Sequence, residues 1–325
     1  MQTILNRASG LRALVLGDVM LDHYIIGSAN RLSPEAPVPV VLAHEDIWLL
    51  GGAANVARNL AALGTMAEVA GRIGKDPQGD KLQNLLADCN ILFDVGFHDV
   101  SISTISKTRI VAGRQQVCRI DREQSASAYS VARGTHMDVV ERALKRANFF
   151  VLSDYAKGTL TQPVVNKVIK LAKAQGCFVA ADPKPSRPLQ YPGVDLLTPN
   201  AQEARAMAGC DPYDTENCDW SVICKKIYDR HLPKNLVITQ GADGMLIARE
   251  GRLIKSVPTM AQEVSDVSGA GDTVIAALSV ALAGGSTLEE AAHFANTAAG
   301  IVIRKFGTAV ATPAEIINAS RGTVA

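Results

Sequence analysis

The chain has 325 residues, of which 47% are hydrophobic and 20% are charged, and this globular composition excludes disordered, collagen-like and disulfide-scaffold proteins. The 33 basic and 32 acidic residues leave a formal net charge of +1, too little to hold a polyanion, so nucleic acid is not an expected partner. No stretch approaches the roughly 18 uninterrupted apolar residues of a membrane span, and the first residues lack the pattern of a secretory signal. We therefore expect a cytoplasmic protein without membrane contact.

Short apolar runs that end in polar or glycine-containing loops predict the strands of a parallel sheet. The runs are 11–17, 148–153, 177–181, 195–198 and 235–239. A helix-period stretch from 162 to 175 separates two of them, which is typical of repeated βαβ units and predicts an α/β fold with helices flanking a mostly parallel sheet. In such sheets ligands bind beyond the carboxyl ends of the strands. The polar or glycine residues at these ends are Asp154, Asp182, Asn200 and Gly241.

Two further segments, about 22–45 and 100–122, show strand-like alternation outside this sheet. A glycine turn between alternating runs predicts antiparallel hairpins. We expect these hairpins to form a small β lid on a single domain that spans residues 1–325. Because the edge strands of such hairpins need cover, we expect them to pair or clasp across a homodimer.

The segment from Asp266 to Asp272 carries the most specific chemistry. The small residues Gly269, Ala270 and Gly271 permit successive backbone N–H groups to converge at the start of a predicted helix, where the helix dipole also favours an anion. Asp272 beside this anion hole is placed to take a proton from a hydroxyl that attacks a phosphoryl group. Taken alone, Asp272 is equally compatible with an ordinary acidic residue in the first turn of a helix.

Three other motifs occur at predicted strand ends or helix starts. Gly51, Gly52 and Asn55 precede or begin an amphipathic helix, where glycines permit close approach to a polyol or simply shape the helix entry. Asn200 and Glu203 flank Ala201 and Gln202, and suit either a hydrated Mg²⁺ ion or a helix capping box. The residues from Thr239 through Gly241 to Gly244 suit either a nucleotide site or a hairpin turn.

Together, in this order and spacing, these motifs resemble the ribokinase family of carbohydrate kinases over essentially the whole chain. The resemblance implies a ribokinase-like fold with ATP and Mg²⁺ as cofactors. It implies that Asp272 is the catalytic base beside the anion hole of Gly269, Ala270 and Gly271. The residues implied to face ATP are Asn200, Ala201, Gln202, Glu203, Thr239, Gly241, Gly244 and Asn296, with Asn200 and Glu203 holding Mg²⁺ through water. The residues implied to hold the sugar are Asp22, Gly51, Gly52 and Asn55.

Within that family, residues 17–24, 31–40, 153–158 and 181–184 resemble the bacterial kinases of D-glycero-β-D-manno-heptose 7-phosphate. The resemblance implies phosphorylation at O1 to the 1,7-bisphosphate, in the biosynthesis of ADP-heptose for the lipopolysaccharide inner core. None of the six histidines has another histidine three positions away, so the phosphate-binding turn of a fused nucleotidyltransferase is not found and we expect a stand-alone kinase.

The second phosphate of such an acceptor needs cations that the general family motifs do not supply. Arg109 and Lys157 are the main candidates, because one lies in the predicted lid and the other follows a strand end. Lys107, Arg119 and Arg31 are further candidates, and for each of the five a solvated surface charge is an equally simple interpretation.

Two other enzyme classes are excluded by their glycine patterns. A dinucleotide-dependent oxidoreductase requires Gly-x-Gly-x-x-Gly after the first strand, where this chain has Gly17-Asp-Val-Met-Leu-Asp22. A Walker loop does not fit the residues around Lys75. A kinase for another sugar or sugar phosphate, and a non-catalytic sugar-binding module, remain open as alternatives.

Overall fold

The computed structural model describes residues 1–113, 115–132, 134–186, 188–214, 219–259 and 266–321; Arg114, in the second predicted lid segment, lies outside them. The helices are α1 (Gln2–Ala8), α2 (Ala53–Ala62), α3 (Pro77–Asp88), α4 (His136–Leu144), α5 (Gln162–Ala174), α6 (Ala201–Met207), α7 (Trp220–His231), α8 (Ala270–Ala283), α9 (Leu288–Val302) and α10 (Pro313–Arg321). The strands are β1 (Arg12–Gly17), β2 (Val19–Leu32), β3 (Pro39–Gly52), β4 (Met66–Ala70), β5 (Ile73–Gly74), β6 (Leu92–Phe93), β7 (His98–Asp99), β8 (Ile105–Ala112), β9 (Gln115–Arg122), β10 (Phe149–Ser153), β11 (Phe178–Asp182), β12 (Leu196–Leu197), β13 (Asn235–Thr239), β14 (Met245–Arg249) and β15 (Arg252–Val257).

A nine-stranded sheet forms the centre of the molecule, in the order β15-β14-β13-β12-β11-β10-β1-β4-β6. The five predicted strands all form and are neighbours in this sheet, with parallel pairing from β1 through β10, β11 and β12 to β13. The α/β prediction is therefore confirmed. The antiparallel strands β14 and β15 at one edge were not predicted, since the analysis of residues 238–244 did not extend beyond the turn.

The sheet is buried on both faces, because successive side chains of each strand point to opposite sides. On β1, Val15 packs into a core with residues of α2, α8 and α9, whereas Leu14 and Leu16 pack into a second core with residues of α4, α5 and α7. Continuous apolar strands are thus explained by two helical layers. Among the described helices, none has both the length and the apolar character needed to cross a bilayer.

A separate four-stranded sheet, in the order β3-β2-β8-β9, forms at the predicted lid segments. The pairs β2–β3 and β8–β9 are antiparallel, as predicted, and a parallel pairing of β2 with β8 joins them into one sheet. β2 is buried where it begins and exposed where it ends, and all of the residues of β9 are exposed. This sheet therefore starts in the body of the protein and extends into solvent.

A glycine is required where β1 and β10 end. Gly17 is paired with Ser153, and a Cβ atom on Gly17 would lie 2.0 Å from the Ser153 carbonyl oxygen. Only glycine fits here without displacing the backbone of a central strand.

We predict that Gly17→Ala lowers the free energy of unfolding by about 2–3 kcal/mol, because the added methyl group overpacks the sheet at this pair. Gly10→Ala is the matched control, since its added Cβ would have no neighbour closer than 3.6 Å. Urea unfolding of both variants measures the difference. Equal midpoints for the two variants would contradict the explanation.

Candidate active site

A cavity of about 140 Å³ opens at the carboxyl ends of β10 to β13, the edge at which the sequence predicted a site. Its described lining residues are Asp154, Tyr155, Asp182, Pro183, Lys184, Thr198, Asn200, Glu203, Thr239, Gly271 and Val274. Strand-end loops and the first turns of α6 and α8 thus meet at one place. We call it the catalytic cavity below.

The N-terminus of α8 borders this cavity. Gly269 caps the helix in the left-handed conformation, with φ of 77°, and a Cβ atom there would lie 2.8 Å from Nδ2 of Asn55. The amide of Ala270 already donates to the Val267 carbonyl at 3.2 Å. The amides of Gly269, Gly271 and Asp272 have no acceptor among the described residues, so they are the donors that remain for an anion.

Asp272 lies in the first turn of α8 and is buried, with only 3% of its surface exposed. Its Oδ2 accepts a hydrogen bond from Nδ2 of Asn55 at 2.6 Å, and its Oδ1 accepts one from the hydroxyl of Tyr155 at 2.5 Å. Burial raises the pKa of Asp272 to about 6, although both hydrogen bonds oppose this rise. A carboxylate with this pKa is ionised at neutral pH and is a stronger base than an exposed aspartate.

Asn55 belongs to a polar link between α2 and α8. Asn59 donates from Nδ2 to the Asn55 carbonyl at 2.9 Å, and the Thr273 hydroxyl donates to Oδ1 of Asn59 at 2.8 Å. The sequence assigned Asn55 to the sugar, whereas the structure gives its amide a protein partner, Asp272. Asn55 thereby orients the carboxylate.

The Gly51-Gly52 pair is required by the protein's own packing. A Cβ atom on Gly51 would lie 2.4 Å from Oδ2 of Asp22, and one on Gly52 would lie 2.3 Å from the Asp18 carbonyl oxygen. Gly52 also has φ of 56°, which favours glycine. The sequence predicted that a polyol approaches these glycines closely. In this structure Asp22 of β2 and the preceding Asp18 make that close approach.

Asp18 holds the loop that carries Tyr155. Its buried carboxylate accepts hydrogen bonds from the backbone amides of Tyr155, Lys157 and Thr159, at 2.9 to 3.0 Å. Burial and the negative charge of Asp272 raise the pKa of Tyr155 well above its usual value, so its hydroxyl stays protonated and acts as the donor. Asp18, which follows β1, thus positions the Tyr155 hydroxyl that donates to Asp272.

Asn200 and Glu203 form the capping box that the sequence left open as an alternative. Oδ1 of Asn200 accepts from the Glu203 amide, and Oε2 of Glu203 accepts from the Asn200 amide, both at 2.9 Å. Oε1 of Glu203 pairs with Lys184 Nζ at 2.7 Å. Both residues nevertheless line the catalytic cavity, so capping and ligand binding are not exclusive.

Negative charge predominates around the cavity. Burial, then the charges of Glu203 and Asp272, raise the pKa of Asp182 well above its usual value. Burial would lower the pKa of Lys184, but its pairing with Glu203 and the charge of Asp182 raise it above the ordinary value. Three carboxyl side chains, those of Asp154, Asp182 and Glu203, thus line the cavity with one cation, Lys184, among its described lining residues.

The other residues expected to face ATP are spread along the same edge. Thr239 lines the cavity, whereas Gly241 and Gly244 shape the turn from β13 to β14, both with positive φ. Gly244 is held tightly, because a Cβ atom there would lie 2.2 Å from the Val257 carbonyl oxygen. Asn296 on α9 donates to the Pro258 carbonyl at 2.6 Å. Ala201 and Gln202 lie in the first turn of α6 but do not line the cavity.

Four of the five cations proposed for a second phosphate are already paired with acids, whereas Arg31 is exposed on β2 and has no ion pair among the described residues. Arg109 forms an ion pair with Asp22, and Lys157 pairs with Glu123 at 2.7 Å. Lys107 and Arg119 both pair with Asp121 within the lid, at 3.0 and 2.8 Å. Arg109 also lies 5.2 Å from the ring centroid of Tyr24. Arg109 and Asp22 thus connect two of the predicted substrate residues.

Tyr155 and Lys184 received no role from the sequence, although both lie in segments that carried the family resemblance. Asp154 and Asp182 marked the correct edge of the sheet but likewise received no role. The signal available for all four was their position immediately after β10 and β11. Val274, expected to pack only beneath the helix, also lines the cavity.

A larger cleft of about 940 Å³ lies elsewhere, between α1 and the start of α9. Its wall mixes the basic Arg7 and Arg249 with Glu289 and Glu290, and Glu290 is already used to cap α9. We take the smaller cavity as the candidate site, because Gly271 at the start of α8 and Tyr155, the hydrogen-bond partner of Asp272, line it.

The family described as "pfkB family carbohydrate kinase" matches residues 12–315. The chain belongs to the pfkB family of carbohydrate kinases. This pfkB kinase is 43% identical over 312 residues to "Bifunctional protein HldE" of Klebsiella pneumoniae strain 342, covering 95% of this chain and 63% of that protein. It is 39% identical over 316 residues to the protein of the same name from Paramagnetospirillum magneticum, covering 97% and 64%. The chain thus spans less than two thirds of these relatives.

Solved structures confirm the ribokinase-like fold of this pfkB kinase. A ribokinase from Arabidopsis thaliana complexed with ribose and ATP superposes with a TM-score of 0.75 at 21% identity, covering 95% of this chain and 98% of that one. Phosphofructokinase-2 from Escherichia coli, in complex with substrates and products, gives a TM-score of 0.79 at 20% identity, covering 97% and 100%.

We predict that Asp272→Asn increases stability relative to wild type more at pH 8 than at pH 4. The pKa of Asp272 is raised in the folded state, so ionisation costs stability as pH rises through about 6, and the neutral amide avoids this cost. The difference in unfolding free energy between variant and wild type should change by about 2 kcal/mol between these pH values, because the unfolded carboxyl is already partly ionised at pH 4. Denaturant unfolding at both values measures it, and a pH-independent difference would contradict the raised pKa.

Proposed function

We propose that this pfkB kinase transfers the γ-phosphoryl group of ATP to O1 of D-glycero-β-D-manno-heptose 7-phosphate, giving the 1,7-bisphosphate. The observation that supports kinase chemistry best is the buried Asp272 carboxylate beside the unpaired amides that begin α8. The heptose acceptor is supported by the sequence motifs at 153–158 and 181–184 and by the relatives named HldE at about 40% identity. Its product would enter ADP-heptose synthesis for the lipopolysaccharide inner core.

In this proposal Asp272 is the general base. It takes the proton of the acceptor hydroxyl as the hydroxyl oxygen forms its bond to the γ-phosphorus and the bond to the ADP oxygen breaks. The free amides at Gly269, Gly271 and Asp272 donate to the phosphoryl oxygens as negative charge shifts among them. Asn55 and Tyr155 hold the carboxylate in place.

We propose that ATP binds with Mg²⁺ along the edge of the sheet at which the catalytic cavity opens. The carboxyl groups of Asp154, Asp182 and Glu203 line this cavity, and oxygen ligands of this kind suit a divalent cation. No group of three or more His, Cys, Asp or Glu among the described residues is arranged to hold a metal directly. Asn200 and Glu203 would therefore hold Mg²⁺ through water, and the ion would supply charge neutralisation for the phosphates. Ala201, Gln202, Thr239, Gly241, Gly244 and Asn296 would lie along the nucleotide.

We further propose that residues 1–325 form one kinase domain whose lid, Asp22 to about residue 45 and residues 100–122, covers the sugar. The exposed Leu42, Val117 and Ile120 on this lid sheet would be covered by a second copy in a homodimer, and the protein would be cytoplasmic. A kinase for another sugar phosphate is the alternative, since the shared chemistry names the reaction better than the acceptor.

The first test is a coupled ADP-release assay over a panel of sugars and sugar phosphates, with product mapping by phosphorus NMR. We expect heptose 7-phosphate to have the highest kcat/KM and to gain its new phosphate at O1.

Asp272→Asn should lower kcat by about 10² or more while leaving ATP binding intact, since only proton acceptance is lost. A non-catalytic sugar-binding protein would give no ADP above background with any acceptor. A preferred acceptor other than heptose 7-phosphate would contradict the proposed substrate but not the proposed kinase reaction.

Tyr155 supplies a prediction about pH. The hydrogen bond from its hydroxyl lowers the pKa of Asp272, so Tyr155→Phe should move the acidic limb of kcat/KM from near pH 6 upward by roughly 1 unit. Tyr129→Phe is the control, because it removes the hydroxyl of a buried tyrosine that donates to the Ser103 carbonyl instead of to Asp272. The control should leave the limb in place. Identical profiles for both variants would remove Tyr155 from the positioning of the base.

The second phosphate supplies the last prediction. Arg109→Ala and Lys157→Ala should each raise KM for heptose 7-phosphate far more than KM for ATP, because the lost cation binds only the acceptor. Both should also reduce the preference for heptose 7-phosphate over heptose. Lys145→Ala, at the exposed end of α4, is the control. Wild-type preference in both test variants would show that other residues hold this phosphate.

A further inference from the structure

A second cavity lies behind the wall of the catalytic cavity. It has a volume of about 320 Å³, within the range of small-molecule sites, and is lined by residues 183–185 and 188–191 and by the ends of α6 and α7. Its described lining residues are Pro183, Lys184, Pro185, Pro188, Leu189, Gln190, Tyr191, Ala206, Met207, Arg230 and His231. We call it the proline-lined cavity.

The lining of this cavity is apolar and basic. Three prolines, a leucine and a methionine supply most of its apolar wall, whereas Lys184, Arg230 and His231 supply its charged or ionisable groups. No described lining residue is acidic. This distribution differs from the acidic catalytic cavity and favours an anion that carries an apolar body.

His231 supplies a ring N–H group that has no protein partner among the described residues. The residue is 3% exposed, and its Nδ1 accepts a hydrogen bond from the Tyr191 amide at 3.2 Å. Burial and the nearby charge of Arg230 lower its pKa to about 4, so the ring is neutral at pH 7. Because Nδ1 accepts, the single ring proton is on Nε2. Nε2 has no hydrogen-bond partner among the described residues, and the ring lines the cavity.

The two cavities share Lys184. Its Nζ pairs with Glu203, the residue whose other oxygen caps α6 beside the catalytic cavity. Tyr191 provides a second connection, since its hydroxyl donates to Oδ2 of Asp154 at 2.8 Å. An anion bound near Lys184 would compete with Glu203 for the ammonium group and so change the charge that faces the catalytic cavity.

We propose that the proline-lined cavity is an anion-binding effector site, which takes a small phosphate ester or carboxylate with an apolar body. Nε2 of His231 donates to the anion and the prolines contact the apolar body. The exposed Arg230, which already donates one guanidinium N–H group to the Met207 carbonyl at 3.0 Å, pairs with the anion through its remaining N–H groups. Binding is independent of the phosphorylation reaction, so the site is testable whatever the acceptor sugar is.

The test is a calorimetric titration of the full chain with phenyl phosphate and, separately, with benzoate, in the presence of a saturating non-hydrolysable ATP analogue that blocks the nucleotide site. His231→Asn retains an acceptor for the Tyr191 amide but loses the donor at Nε2, and Arg230→Met loses the cation. Lys226→Met is the control, since this exposed basic residue of α7 lies outside the cavity lining.

We expect wild type and Lys226→Met to bind one equivalent of at least one probe with equal affinity, and both cavity variants to bind it at least 10-fold more weakly. Binding of phenyl phosphate alone would identify phosphate esters as the class, and binding of benzoate alone would identify carboxylates. If His231→Asn does not fold, Arg230→Met decides by itself. No saturable binding of either probe, or equal affinity in every variant, would overturn the proposal.

Discussion

The placement of a carboxylate in a buried position at the start of a helix is the constraint on which the site depends. Asp272 loses its hydration there, and two hydrogen bonds from neutral donors replace water only in part, so its pKa rises to about 6. The same helix start leaves amide donors unpaired, and both features follow from the carboxyl-end geometry of a parallel sheet.

Several otherwise unrelated parts of the fold serve to hold this carboxylate. Asn55 reaches it from α2, and the Gly51-Gly52 pair permits that helix to begin close against β2. Tyr155 reaches it from the loop after β10, and Asp18 fixes this loop through three backbone amides. Asp18, which follows β1, therefore stabilises the loop, whereas Tyr155 on that loop contacts the Asp272 carboxylate directly.

Charge is distributed unequally between the two sides of the segment that follows β11. The catalytic side concentrates Asp154, Asp182 and Glu203, with Lys184 as the cation among its lining residues, which suits a nucleotide bound with a divalent ion. The opposite side has Arg230 and the neutral His231 and no described acid. Lys184 contacts both sides, so its pairing with Glu203 is the natural point at which events in one cavity would affect the other.

The sequence by itself determined the fold class, the edge of the sheet that carries the site and the identity of the central motif, because each is written in local patterns. Apolar runs ending in polar loops identify parallel strands, and small residues before an acid identify a helix start that binds anions. It did not determine which residues touch Asp272. Asn55 and Asp272 are 217 positions apart and Tyr155 and Asp272 are 117 apart, so only the packing of α2, β10 and α8 brings them together. Tertiary structure also decided that Asn200 and Glu203 cap a helix, that Arg109 pairs with Asp22, and that burial raises the pKa of the base, since desolvation depends on every element packed around a group rather than on its neighbours in the chain.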